Sequence, residues 1–146
     1  MGEGKREEER VILAMPQTYM NRSGLAVKQI VEGERISSEK LVVVYDDLDI
    51  PLGEIRIRKE GGPGTHKGMN SVVQEIKTTK FFRIRVGIGP LRSGQDATSF
   101  VLSPFEEKEK LLLKKSLKKA QEALEMILSG EVEKAMNQYN QKGKTL

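Results

Sequence analysis

The chain has 146 residues, 37% of them hydrophobic, with 25 basic and 21 acidic side chains and a net charge of +4. That is the size of one ordinary domain with a charged surface, and no apolar run approaches the roughly 20 residues of a membrane-spanning helix. There is no cysteine and one histidine, His66, which excludes disulfides, thiolate nucleophiles, zinc–thiolate centres and any site needing two imidazoles from this chain.

Met1 to Arg10 is polar, has no apolar core of a secretory signal, and reads as a disordered charged lead; a cytoplasmic location is expected. Val11 to Met15 is a short apolar run ended by Pro16, consistent with a buried strand. From Thr18 to about Val31, Leu25, Val27, Ile30 and Val31 form a helical stripe that Thr18 or Ser23 would cap and Gly33 would close. Leu41 to Tyr45 is the strongest strand signal, apolar throughout as a strand covered on both faces would be. Asp46, Asp47 and Asp49 follow at its carboxyl end, then a turn over Ile50 to Gly53.

Ile55 and Ile57 alternate with Arg56 and Arg58, the pattern of a half-buried strand with arginines on its wet face. Lys59 to Gly68 is a glycine-rich loop holding His66. Met69 to about Lys77 reads as a helix. Phe82 to Gly89 alternates again, with Arg83, Arg85, Gly87 and Gly89 on the wet side. Gly94 to Ser103 reads as loop, Glu106 to about Leu128 as a long amphipathic helix, and Glu131 to about Gln141 as a shorter one. Strands alternating with helices give the α/β class. The expected organisation is a lead over 1–10, one domain over 11–141 and a frayed tail over 142–146.

Charge is unevenly spread. Residues 1–53 balance at −3, residues 54–92 at +6 and residues 93–146 at +1. A basic island suits a phosphate-bearing partner, although a solvated surface has the same composition. Arg56, Arg58 and Arg85 would form one patch if their strands are neighbours, and guanidinium forks bind phosphate oxygens bidentately. The aspartate cluster is either a functional carboxylate at a strand end or turn chemistry. The His66 loop fits neither common nucleotide-phosphate fingerprint, and is either a substrate loop or a flexible connection. Asn21 by itself is a helix cap or a surface amide.

In combination these segments resemble the bacterial-type peptidyl-tRNA hydrolase family. The matching runs are Pro16 to Gly24, Val44 to Gly53, Gly61 to Ser71, Arg83 to Gly89 and Phe100 to Phe105. Their order and spacing fit over about Val11 to Tyr139. The resemblance implies a single α/β domain with a mixed, largely parallel sheet flanked by helices. It implies a monomeric, cytoplasmic, metal- and cofactor-independent esterase that frees tRNA from a stalled peptide. Asp46 would be the catalytic carboxylate. Asn21, Tyr19, His66 and Lys67 would bind substrate near the ester, and Arg56, Arg58 and Arg85 would hold tRNA phosphates at the acceptor end.

Two departures from the family pattern matter. The chain enters at the family's second strand, without the first strand and the helix that carry its catalytic histidine. Lys67 stands where the family places asparagine after the loop histidine, replacing an amide with a cation. The expectation is therefore little or no hydrolysis by this chain alone, with a non-catalytic tRNA- or RNA-binding relative as the alternative.

Overall fold

The computed structural model describes residues 1–7, 9–64, 66–90 and 106–140. They form two compact units. The first takes Met1–Ser38 and Gly62–Thr79, and the second takes Glu39–Gly61 and the described residues from Lys80 onward.

The first unit opens with a hairpin. Strand β1 (Gly2–Arg6) pairs antiparallel with β2 (Glu9–Leu13). The lead expected to be disordered is thus largely strand. Composition hid the reason, which is pairwise: Arg6 stands opposite Glu9, and the Arg10 guanidinium binds both Glu3 and, at 2.6 Å, Glu34. The hydrogen bond from Arg10 holds the Glu3 carboxyl below its usual range. Val11 to Met15 is not a buried strand: β2 ends at Leu13, which is exposed, and Val11 and Ile12 are half-buried.

A short 3-10 turn (Met20–Arg22) leads into α1 (Ser23–Gly33). Neither Thr18 nor Ser23 caps it; the Ser23 hydroxyl donates back to the Met20 carbonyl at 2.8 Å. Helix α2 (Lys67–Ile76) starts two residues before the expected Met69, because His66 supplies its cap. The two helices cross at Gly24. Its N–H donates to Ser71 Oγ at 2.9 Å, and a Cβ there would lie 2.0 Å from the Ser71 carbonyl oxygen. Glycine at this position is what allows the approach.

The second unit is a three-stranded sheet with two helices. Strands β3 (Val42–Pro51), β4 (Ile55–Arg58) and β5 (Phe82–Gly89) lie in the order β3-β5-β4. The β3–β5 pair is parallel and the β4–β5 pair antiparallel. Among the described residues the sheets are small and mixed, and not largely parallel. Helices α3 (Glu107–Leu128) and α4 (Val132–Tyr139) cover one sheet face. The core there joins Ile55, Ile57, Ile84 and Val86 to Ala120, Ala123, Ile127 and Ala135, small helix residues that let aliphatic strand side chains seat closely. Glu106 and Glu109 close a capping box at the start of α3.

Two expectations change here. The apolar run into β3 was expected to be covered on both faces, yet none of Val42 to Tyr45 is fully buried and Val44 is exposed. Within the described sheet β3 is an edge strand, and its one neighbour is β5. Arg83, expected on a wet face, is 1% exposed. Its guanidinium stacks 4.2 Å from the centroid of the Phe81 ring and donates to the Gly61 carbonyl. Gly87 and Gly89 are absences of side chain required by β3. A Cβ on Gly87 would lie 2.1 Å from the Pro51 oxygen, and one on Gly89 1.9 Å from the Leu48 oxygen. That contact coincides with the irregularity in β3 between Asp47 and Pro51. The expected loop over 94–103, the Phe100 to Phe105 motif and the tail over 142–146 lie wholly or largely outside the described residues.

Candidate functional site

Register brings the three predicted arginines together. Arg56 lies directly opposite Arg85 across the β4–β5 ladder, and Arg58 lies one pleat away on the same face of β4. All three line one groove of about 630 Å³, with Asp49, Ile50, Lys59, Glu60, Glu133, Met136 and Asn140 also on its wall.

The arginines are not equivalent. Arg85 donates through Nε (2.7 Å) and Nη2 (2.6 Å) to Asp47 Oδ2, and both side chains are mostly covered, 20% and 13% exposed. Arg56 donates to the Ile55 carbonyl at 2.8 Å and lies 3.8 Å from the buried Glu54 carboxylate. Arg58 is exposed and makes no ion pair among the described residues. Lys59 is paired with Glu133. The groove therefore carries four cations on its wall against three carboxylates, Asp49, Glu60 and Glu133. It is a polar cleft with pre-oriented guanidiniums more than a strongly positive one. Arg58 is the most open of the three guanidiniums, and Arg85 is the one held by a carboxylate.

The acidic cluster resolves into separate roles. Asp47 is turn and pairing chemistry: Oδ1 accepts the Asp49 N–H at 2.8 Å while Oδ2 holds Arg85. Asp46 sits within β3, in register with Val86 and half-buried. It is the neighbour of the paired carboxylate and points to the opposite sheet face by strand alternation.

Asn140 has no sequence signal, and it is structurally the most specific residue in the groove. It caps the end of α4, and its amide pairs with the backbone of β4. The Ile57 N–H donates to Oδ1 at 2.7 Å, and Nδ2 donates to the Ile57 carbonyl at 2.9 Å. One side chain thus reproduces the two bonds of a neighbouring strand on the outer edge of β4. Lys59 was missed for a plainer reason: it follows the alternating strand and reads as loop.

The first unit holds Tyr19, Asn21, His66 and Lys67. Tyr19 and Asn21 are exposed on and just before the 3-10 turn, and Lys67 is exposed at the first position of α2. His66 Nδ1 accepts the Met69 N–H at 3.2 Å, capping α2. A Cβ on Gly68 would meet His66 Cε1 at 3.0 Å and Met20 Cγ at 3.1 Å, so the turn bearing Tyr19 and Asn21 is drawn against the His66 cap. Among the described residues no group of three potential metal ligands gathers, and no helix is long and apolar enough to cross a membrane.

An α/β chain with paired arginines on a strand groove and a histidine-capped glycine loop matches one family throughout. Residues 1–145 match the peptidyl-tRNA hydrolase family profile. Among similar proteins, the peptidyl-tRNA hydrolase of Persephonella marina is 40% identical over 136 residues, 93% of this chain and 72% of its own length. That of Thermotoga maritima is 46% identical over 130 residues, 89% of this chain and 70% of its own. The crystal structure of the Acinetobacter baumannii enzyme superposes with a TM-score of 0.86 at 34% identity, covering 94% of this chain and 69% of that one. The chain belongs to the peptidyl-tRNA hydrolase family, and by that membership its function is carboxylic ester hydrolysis of peptidyl-tRNA.

Proposed function

We propose that this cytoplasmic chain, acting as a monomer, binds the acceptor end of peptidyl-tRNA through Arg56, Arg58 and Arg85. Asn21, Tyr19, His66 and Lys67 contact the substrate near its ester. The observation that carries the reading is the shared groove of the three arginines, with Arg85 fixed by Asp47 and Arg58 open to solvent. A guanidinium held by a carboxylate is pre-oriented, so less freedom is lost when phosphate arrives.

Asp46 matches the family's catalytic carboxylate, the group that would orient an imidazole base and stabilise its protonated form. His66 contacts the substrate from a ring orientation fixed by its capping role, with Nδ1 accepting the Met69 N–H. Lys67 beside it adds positive charge where oxyanion character develops. A second reading, tRNA binding without cleavage, is favoured by the same observation, since His66 is the one imidazole in the sequence.

One sample decides. Binding of uncharged tRNA is measured across a salt series, and release of peptide from a peptidyl-tRNA is followed in parallel. Salt-dependent binding with cleavage that falls in Asp46→Asn supports the hydrolase reading. Binding without cleavage supports the second, and cleavage untouched by Asp46→Asn overturns the assigned role.

A further inference from the structure

The unit's uncompensated positive charge lies away from the arginine groove. Every groove cation except Arg58 has a carboxylate close by, whereas α3 from Lys108 to Lys119 holds Lys108, Lys110, Lys114, Lys115, Lys118 and Lys119. Two of them are occupied: Lys110 pairs with Glu107 at 3.1 Å, and Lys119 donates to the Gly53 carbonyl at 3.0 Å. The other four are exposed and make no ion pair among the described residues.

This arrangement weakens the helix that carries it. Lys110 and Lys114, Lys114 and Lys118, and Lys115 and Lys119 are like charges one turn apart on the surface, and no acidic residue occurs between Lys110 and Gln121 to offset them. The cations also sit toward the positive end of the helix dipole. The buried face of α3 runs through Ser116, Ala120, Ala123 and Ile127; Lys114 and Lys118 ride the opposite side with Lys115 beside them, whereas Lys119 leans toward the Gly53 carbonyl. Successive lysines at four-residue spacing climb about 6 Å per step along the axis, a step on the scale of adjacent phosphates on one strand. Three exposed leucines, Leu111, Leu112 and Leu117, lie among them, but at about 100° per residue they point in three different directions around the helix and form no single apolar face for insertion into a lipid layer.

We propose that the outer face of α3, centred on Lys114, Lys115 and Lys118, is a second polyanion-binding surface. Its partner is the sugar–phosphate backbone of the RNA body, separate from the arginine groove. The inference rests on reading the partner as tRNA. It adds a contact that recognises duplex backbone and not the ester.

The test is the double variant Lys114→Glu/Lys115→Glu in the full chain, with Arg58→Ala beside it and uncharged tRNA as the probe. Losing two phosphate contacts flattens the plot of log affinity against log salt by ~1.8 and lowers affinity at about 0.05 M salt by roughly 10- to 100-fold. The same variant turns three repulsive neighbour pairs into attractive ones, so its thermal midpoint stays level or rises, which separates lost binding from lost folding. If Arg58→Ala leaves binding unchanged while the lysine variant weakens it, this surface stands and the groove assignment falls. An unchanged salt slope in the lysine variant overturns the proposal. So does a loss confined to binding of phosphatidylserine vesicles with tRNA affinity intact.

Discussion

Asn140→Ala isolates the device that closes the outer edge of β4. The wild-type amide makes two bonds to one residue, at 2.7 and 2.9 Å, and Ile57 itself is fully buried on its side-chain face. A net contribution of about 1 kcal/mol per bond gives a loss of about 2 kcal/mol. Truncation also leaves the Ile57 N–H and carbonyl without a partner; the open groove lets water reach them, which keeps the penalty near that figure. For a chain of this length the midpoint falls by about 4–8 °C. Amide exchange reports the site directly: the Ile57 N–H should exchange about 30-fold faster, the equivalent of 2 kcal/mol of lost protection. Asn140→Asp is the more pointed variant. Its carboxylate still accepts from the Ile57 N–H but sets an oxygen against the Ile57 carbonyl. It should be no more stable than the alanine variant at neutral pH and recover as acid restores a donor. An alanine variant that melts within about 1 °C of wild type with unchanged Ile57 exchange refutes the reasoning.

Other outcomes follow from the same geometry. Gly24→Ala drives a methyl to 2.0 Å from the Ser71 oxygen, so α1 and α2 must separate; a loss of at least ~2 kcal/mol in denaturant unfolding is expected. Arg85→Ala strands the mostly covered Asp47 carboxylate and should cost about 1–3 kcal/mol, while Arg58→Ala changes stability by less than ~0.5 kcal/mol; equal losses would show that Asp47 does not depend on Arg85. Burial and the hydrogen bond to Glu122 push the Tyr139 phenol up to about 12. Its folded value exceeds its unfolded one, so its contribution is full below pH ~10 and disappears as pH rises toward 12. Phenolate absorbance should place Tyr139 as a late-titrating tyrosine, and Tyr139→Phe should remove that part of the alkaline destabilisation.

Alternation at Ile55 to Arg58 made β4 legible, because one sheet face is packed by α3 and α4 and the other is wet. The same logic misread Arg83, where a guanidinium stacked on Phe81 satisfies burial without an apolar side chain. It also misread Gly87 and Gly89, whose missing side chains answer to a neighbouring strand and not to solvent. Counting charge by stretch pointed to residues 54–92 as the basic surface. Arg83 is buried and Arg85 and Arg56 are paired there, whereas the exposed lysines sit in a stretch whose total was nearly neutral because eight acidic residues before, among and after them offset the sum. Asn140 was invisible because an amide that imitates a strand depends on where α4 ends, which no local pattern encodes. The motif-level reading succeeded where several short runs kept their order and spacing.

The crossing of β3 over Gly87 and Gly89 has a bearing on how tolerance maps of this chain would look. Leu48 and Pro51 press their backbone oxygens onto bare α-carbons about forty positions further along. Any larger residue there would deflect the ribbon just after Asp46. A saturation screen scored by catalytic turnover would flag both glycines as sharply as a reactive group. Intolerance to change would then identify the scaffold that shapes β3 as readily as the role proposed for Asp46.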